Sequence, residues 1–147
     1  MQSPPNSEVR VEVRSTIDIV TARQQGREQA MALGLSSAEV TLVAAAISEI
    51  ARNILDHAKR GEVVFSFVQR GSQRGLQVAA NDQGPGIADI GLAMQYGYST
   101  RRGLGVGLPG AKWLMDEFEI ESAVGKGTKV TMRKWVKDEN SQLNHSR

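Results

Sequence analysis

The chain has 147 residues, of which 40% are hydrophobic and 23% are charged, a balance that suits one globular domain with its own core. It contains no cysteine, which excludes disulfides, thiolate zinc sites and cysteine nucleophiles. Its net charge of +2 comes from scattered basic residues and only 5% of the chain is aromatic, so we expect no nucleic-acid surface. Residues 1–14 are polar where a signal peptide would be apolar, and no later run is long enough to cross a bilayer. We therefore expect a cytoplasmic protein without membrane contact.

The first half of the chain predicts one strand followed by two helices. Residues 9–13 read Val-Arg-Val-Glu-Val, and this alternation is typical of a half-buried strand that suits a sheet edge. Gly34 is a natural stop for a first helix, and Ser36 or Ser37 is a good N-cap for a second one. The predicted elements are a strand over 9–13, a helix over 16–33, and a second helix from a cap at Ser36 or Ser37 to about residue 58.

The second half predicts two hairpins separated by a glycine-rich segment and a short helix. A turn rich in Gly and Arg over 70–75 separates two apolar runs, as expected for a pair of antiparallel strands. Pro109 lies where the first turn of a third helix would be, since a missing N–H costs little there. The predicted elements are strands over 63–68 and 76–80, an irregular segment over 82–107, a helix to about Glu117, and strands over 118–123 and 129–136.

The order of these elements bears on the fold class. Helices and strands do not alternate strictly, which argues against a doubly wound parallel sheet. We expect an α/β protein of the two-layer α+β sandwich type, with a mixed, mostly antiparallel sheet and helices on one face. Residues 1–137 are predicted to form this single domain, and the polar residues 138–147 are predicted to be a disordered tail.

The second helix carries a Glu one turn before an Asn, in the sequence Glu49-Ile-Ala-Arg-Asn53. At 100° per residue, both side chains lie on a polar face opposite the apolar one. A carboxylate can accept a proton from a nucleophile, and an amide oxygen can bind Mg²⁺ without adding charge. Glu49 is thus a candidate base and Asn53 a candidate magnesium ligand, although such a face is also common on ordinary solvated helices. His57 on the same face is interpreted as a packing or helix-end residue.

A second segment, Asp82-Gln-Gly-Pro-Gly86, follows a predicted strand. It would place the Asp82 carboxylate at the floor of a pocket, with Gly84 and Gly86 allowing backbone or ligand to approach closely. Such a carboxylate can accept a hydrogen bond from an exocyclic amine. In isolation, the same sequence is also typical of an ordinary turn after a strand.

The third segment, Gly103-Leu-Gly-Val-Gly107, leads into the predicted third helix. Its backbone N–H groups and the helix N-terminus can bind phosphate oxygens, and Arg101 and Arg102 supply positive charge next to them. The segment is neither a P-loop nor a dinucleotide-binding fingerprint, because the spacing of both motifs is absent. Alone, it is also consistent with a flexible loop and a helix cap.

Together the three segments resemble, in order and along residues 9–136, the ATPase superfamily that includes gyrase, Hsp90 and histidine kinases. They are similar to its N box, G1 box and G2 box, and Gly127-Thr128 resembles its late G-T element. The resemblance implies a Bergerat fold in which Asp82 recognises the adenine of ATP and Thr128 supports it through water. It also implies an arginine before the G2 box, for which we favour Arg101 over Arg102. The implied nucleotide-binding residues are Asn53, Asp82, Gly84, Gly86, Gly103, Gly105, Gly107, Leu108 and Thr128.

Within that superfamily the stretch 97–118 is similar to the serine/threonine switch kinases of the RsbT type, which regulate bacterial sigma factors. We expect a free-standing kinase, because the chain shows neither a phosphoacceptor dimerisation helix nor a transducer domain. The resemblance implies ATP and Mg²⁺ as cofactors, a STAS-domain protein as substrate, and partner switching that ends in activation of a PP2C-type phosphatase in a stressosome pathway.

Two other functions fit the sequence. In one, the nucleotide only sets the conformation of a binding module that sequesters or activates a partner. The presence of Glu49 argues against this function, since a pure nucleotide sensor needs no base. The other is a detached catalytic domain of a histidine kinase. Glu49 argues against this alternative as well, because such domains usually take up the proton through a residue beside the target histidine. Residues 91–102 between the second and third segments are predicted either to contact the partner through Met94, Tyr96 and Tyr98 or to pack onto the domain.

Overall fold

A computed structural model describes residues 8–87, 94 and 107–137. These residues form five strands and three helices in the predicted order. The elements are β1 Glu8–Val13, α1 Thr16–Leu33, α2 Ser37–Ala58, β2 Gly61–Arg70, β3 Gln73–Asp82, α3 Gly107–Leu114, β4 Glu117–Ser122 and β5 Thr128–Trp135.

The five strands form one sheet in the order β1-β2-β3-β5-β4, with β1 at an edge as its alternating sequence predicts. All four strand pairs among the described residues are antiparallel, which confirms the predicted two-layer class and its mostly antiparallel sheet. The register places Gly61, Asp82, Thr128 and Ser122 in one row across β2, β3, β5 and β4. This row lies at the end of the sheet where the candidate site begins.

The helices cover one face of the sheet, and the core lies between these two layers. Side chains of α2 at helical spacing pack on every second residue of β2, β3 and β5, because strand side chains alternate between faces. Gly26 of α1 allows close packing, since a Cβ there would overlap the side chain of Ile47 on α2. The largest side chains that are fully buried are Phe65, Ile47, Ile50, Ile54, Leu76 and Met132.

Both helix-end predictions are confirmed, and the structure selects Ser36 as the N-cap of α2. Gly34 adopts a left-handed conformation with φ 99°, and its N–H bonds back to α1 as in a glycine C-cap. Ser36 Oγ accepts a hydrogen bond from Glu39 N at 3.2 Å. The polar side chain at the cap therefore satisfies one of the free N–H groups of α2.

Two element boundaries differ from the prediction. The third helix ends at Leu114 and not near Glu117, because Asp116 N donates to Arg133 O at 3.0 Å and the chain then enters β4. The hairpin of β2 and β3 has a two-residue turn in place of the longer one expected, with Gly71 at φ 63°. Pairing across this hairpin favours extending both strands over the polar residues that looked like a turn.

Candidate nucleotide site

Asp82 is the last residue of β3, a central strand, and faces the helix layer. Only 7% of it is exposed. Its Oδ1 accepts hydrogen bonds from Gly84 N at 2.9 Å and from Thr128 N at 3.2 Å. Among the described residues, no hydrogen-bond donor contacts Oδ2. One oxygen of a buried carboxylate is thus fixed by the backbone, and the other is available to a donor such as an exocyclic amine.

The hydroxyls of Ser122 and Thr128 extend this arrangement from β3 to β4. Their Oγ atoms are 2.8 Å apart, as expected for residues opposite each other in register. Ser122 Oγ also donates to Gly127 O at 2.9 Å and accepts from Ile87 N at 2.7 Å. Ser122 therefore joins the segment after Asp82 to the hairpin of β4 and β5. Ser122 has no signal in the sequence, because only the strand register brings it opposite Thr128.

Close backbone packing explains the glycines around Asp82. A Cβ on Gly84 would lie 2.5 Å from Cβ of Ala58, the last residue of α2. Gly86 and Gly127 have φ near 80°, and a Cβ on them would overlap the carbonyl groups of Ala123 and Asp82. Because they have no Cβ, these glycines allow the segment 83–87 to pack closely against α2 and against the hairpin of β4 and β5. The described contacts explain them without a ligand.

Glu49 on α2 meets the start of α3. Its Oε1 accepts a hydrogen bond from Gly107 N at 2.8 Å. The first N–H groups of a helix have no partner within it and carry its positive dipole end, so a carboxylate is stabilised there. The N–H that we expected to face a phosphate thus donates to the candidate base in this structure. Leu108 is 3% exposed and belongs to the core, so only its backbone can contact a ligand.

The first and second segments, with the end of the third, meet along α2 between residues 49 and 58. Gly107 contacts this helix at Glu49, while the segment after Asp82 packs on Ala58. These two positions are about 14 Å apart along the helix axis. Asn53 lies between them and is half-buried. The candidate residues Arg101, Arg102, Gly103, Gly105, Tyr96 and Tyr98 lie outside the described residues.

A cavity of about 630 Å³ opens beside Asp82 at the end of the sheet. Ser122, Thr128, Lys126 and Lys129 also line it. Neither Glu49 nor Asn53 is among its lining residues, so the cavity belongs to the Asp82 end of the site. It shows only that the Asp82 end of the site is open to solvent.

The described part of the chain contains no group of three or more His, Cys, Asp or Glu side chains arranged to hold a metal ion. Mg²⁺ commonly binds through one or two side chains together with substrate phosphates. The amide of Asn53 therefore fits Mg²⁺ only in combination with a bound nucleotide. In the same residues, no helix combines the length and apolar character needed to cross a membrane.

The strongest electrostatic cluster lies at the opposite end of the sheet. The Glu117 carboxylate accepts hydrogen bonds from Arg70 at 2.6 Å, Trp135 Nε1 at 2.8 Å and Arg133 at 3.1 Å. These donors, Arg70 first, lower the pKa of Glu117 from 4.5 to about 2. The cluster is remote from Asp82 and joins the edge strand β4 to β2 and β5.

Three comparisons with known proteins bear on the family of this chain. A family profile described as "Histidine kinase-like ATPase domain" matches residues 12–134. Serine/threonine-protein kinase RsbT of Bacillus subtilis is 44% identical over 132 residues, which cover 90% of this chain and 99% of that protein. An anti-sigma F factor of Thermoanaerobacter sp. is 35% identical over 104 residues, or 67% of this chain and 71% of that protein.

A solved structure, the RsbU and RsbW domains of a Mycobacterium tuberculosis protein, superimposes with a TM-score of 0.61 at 20% identity. The match covers 88% of this chain and 32% of that one, and it supports the fold alone. The profile and the similarity to RsbT, which extends over nearly the whole of both chains, confirm the family that the three segments predicted. The chain belongs to the histidine kinase-like ATPase family, as a member of its RsbT-type group of serine/threonine-protein kinases.

Proposed function

We propose that the protein transfers the γ-phosphate of ATP to a Ser or Thr of a STAS-domain partner, and that Glu49 is the base. The observation that carries this proposal is the hydrogen bond from Gly107 N to Glu49 Oε1. It places a carboxylate at the N-terminus of α3, where phosphate oxygens are also attracted. A base and a phosphate-binding element adjacent to each other are what phosphoryl transfer requires.

The nucleotide is proposed to lie along α2 with its adenine at Asp82 and its phosphates near α3. The free oxygen of Asp82 would accept a hydrogen bond from the exocyclic amine of adenine, with Thr128 supporting it. At the other end, the N-terminus of α3 and the glycines before it would bind phosphate oxygens. The separation of about 14 Å between the two ends leaves room for the ribose beside Asn53.

Asn53 is the proposed magnesium ligand, together with phosphate oxygens of the nucleotide. The metal would neutralise charge that develops on the transferred group. Asn53→Ala should weaken ATP binding measurably when Mg²⁺ is present and leave binding in EDTA unchanged, as titration calorimetry can measure. Equal losses with and without Mg²⁺ would assign Asn53 to the nucleotide itself.

In the proposed reaction, Glu49 accepts the proton of the substrate hydroxyl as the oxygen of that hydroxyl attacks the γ-phosphorus. The bond between that phosphorus and the β,γ-bridging oxygen breaks, and ADP leaves with the bridging oxygen. The hydrogen bond from Gly107 fixes one carboxylate oxygen and leaves the other to take the proton. Arg101 is proposed to stabilise the charge on the transferred group.

Partner switching follows from the product in this proposal. A phosphate placed on the bound partner adds about two negative charges near the contact surface and should release it. The freed kinase would then be able to bind another protein, such as a PP2C-type phosphatase. The relatives are named as a serine/threonine-protein kinase and as anti-sigma factors, and these names support both phosphorylation and binding of a protein partner.

The test combines the wild type, Mg²⁺-ATP and the STAS-domain proteins encoded near its gene. We expect a phosphorylated Ser or Thr in one of them by mass spectrometry, and gel filtration should show the phosphorylated protein separated from the kinase. Glu49→Gln is the matched control, since glutamine can still accept the Gly107 N–H but is not a base. ATP binding without phosphorylation of any such protein would contradict the proposed substrate class.

A further inference from the structure

Lys134 on β5 is a buried lysine outside the three segments that form the site. Only 6% of it is exposed. It pairs with Leu76 in the register of β3 and β5 and therefore faces the helix layer. A lysine is rarely buried to this extent unless its ammonium has fixed partners.

Both partners of Lys134 lie at the C-terminal end of α3. Its Nζ donates to the carbonyl oxygen of Leu114, the last residue of that helix, at 2.9 Å. It also lies 3.6 Å from Oδ1 of Asp116. The C-terminus of a helix carries its negative dipole end, so an ammonium there is favourable.

Asp116 is in turn fixed to the sheet. Its Oδ2 accepts a hydrogen bond from Trp135 N at 2.8 Å, and its own N–H donates to Arg133 O at 3.0 Å. The ammonium of Lys134 is therefore held between the end of α3 and a carboxylate that is hydrogen-bonded to β5. We call Lys134, Asp116 and the Leu114 carbonyl the α3 clamp.

The α3 clamp acts on a short helix whose other end contacts the candidate base. α3 has eight residues and is about 12 Å long, so a shift at Leu114 is transmitted to Gly107. Gly107 N is the atom that donates to Glu49. Two charged groups thus fix the two ends of α3, a carboxylate at the N-terminus and an ammonium at the C-terminus.

We propose that Lys134 is a positioning residue, which sets the N-terminus of α3 against Glu49 and against the phosphates of the nucleotide. The second part rests on the proposed function, whereas the first concerns contacts within this chain. The competing explanation is that Lys134 only stabilises the fold. That explanation predicts lower thermal stability and no change at Gly107.

The first experiment needs no nucleotide. Lys134→Met removes the ammonium at similar length, and Lys134→Arg keeps both the charge and a donor. Lys112→Met is the matched control, because Lys112 lies in the last turn of the same helix and is exposed. In ¹H–¹⁵N spectra recorded well below the unfolding temperature, the Gly107 amide should shift upfield in Lys134→Met, as its bond to Glu49 weakens. It should stay in place in Lys112→Met, and Lys134→Arg should recover most of the shift.

The second experiment measures what the phosphates contribute to binding. The ratio of ATP to adenosine affinity should fall severalfold in Lys134→Met, while adenosine affinity, which depends on the Asp82 end, stays at the wild-type value. kcat for partner phosphorylation should fall roughly tenfold, since small misplacements of reacting groups are costly. If Lys134→Met does not fold, Asp116→Asn supplies the same test, because it removes one charge and keeps an acceptor for Trp135 N.

These outcomes separate the two proposals. A Gly107 amide that does not move in any folded variant of the α3 clamp overturns the positioning role of Lys134. If the Gly107 amide has moved in a variant but the ratio of ATP to adenosine affinity is unchanged, the proposed effect of Lys134 on the phosphates is overturned. If the wild type binds neither ATP nor adenosine, the proposed function is refuted. The Gly107 amide shift then decides by itself whether Lys134 is a positioning residue.

Discussion

The two ends of the candidate site are built differently. At the Asp82 end, strands, a hairpin and the segment 83–87 are joined by hydrogen bonds among Asp82, Ser122 and Thr128 and by glycines that admit close backbone contact. At the α3 end, Leu108 and Ala111 pack the helix into the core, and the described hydrogen bond to α2 is the one between Gly107 N and Glu49. The first end is part of the sheet, and the second is a junction between two helices.

This difference between the two ends matches the different tasks of base recognition and phosphate transfer. Recognition of a base requires an acceptor in a fixed place, which a buried carboxylate bonded to two backbone N–H groups provides. Transfer of a phosphate requires a carboxylate and a helix terminus that lie side by side, so that the base and the phosphate meet. A single hydrogen bond to Glu49 suits that purpose, with the α3 clamp holding the far end of the helix.

Changing Glu49 should have the largest effect and should separate the two ends. Glu49→Ala is expected to bind ATP as the wild type does but to transfer phosphate about 10² to 10⁴ times more slowly, because the general base is lost. Single-turnover transfer with labelled ATP measures the rate, and calorimetry with a nonhydrolysable analogue measures the affinity. A wild-type rate in Glu49→Ala would mean that the base lies elsewhere.

Gly127 and Gly125 offer a matched pair that tests the rigid end. Both have φ 79°, but a Cβ on Gly125 would meet nothing within 4 Å, whereas one on Gly127 would overlap the Asp82 carbonyl. Gly125→Ala should cost only the backbone strain, about 1–2 kcal/mol of unfolding free energy. Gly127→Ala should cost clearly more and should also weaken ATP binding, because Asp82 must move.

Urea denaturation measures the unfolding free energies of this pair. Equal losses in the two variants would show that the contact between Gly127 and Asp82 is not tight in solution.

Asp82→Asn should reduce ATP affinity without loss of the fold. The asparagine oxygen can still accept the Gly84 and Thr128 N–H groups, while its NH₂ would face the amine of adenine and leave a polar group unpaired. We expect a loss of roughly 1–3 kcal/mol in binding free energy by calorimetry. Asp56→Asn is the control, since Asp56 is exposed on the polar face of α2 that also carries Glu49 and Asn53. Similar losses in both variants would point to a general effect of charge.

Glu117 supplies a reference region for the Asp82 end, because it lies at the opposite end of the sheet, beside the α3 clamp. Because the pKa of Glu117 is lowered to about 2, its contribution to stability is complete above about pH 4.5 and is lost as the pH falls toward 2. Glu117→Gln should flatten the stability profile over that interval and leave adenosine affinity near neutral pH, which depends on the Asp82 end, unchanged. Thermal unfolding between pH 2 and 6 tests this, with the mostly exposed Glu119→Gln as the control. A change in adenosine affinity would connect this cluster to the Asp82 end.

The sequence by itself determined the elements, the fold class and the family. The period of two in β1 and the glycine and serine at the junction of α1 and α2 are local signals, and local geometry decides them. The three segments indicated the kinase family because their order is a property of the chain. Roles for Glu49, Asn53, Asp82 and Thr128 were predicted in the same way and stay predictions, as do those of Arg101, Gly103 and Gly105.

Only the tertiary structure decided which groups contact each other. Ser122 entered the site through the register of β4 and β5, and Lys134 came to α3 through a sheet position opposite Leu76. Gly107 donates to Glu49, which lies 58 residues earlier in the chain. A sequence pattern reports the preferences of neighbouring residues, whereas these contacts join residues whose distance is set by how sheet and helices pack.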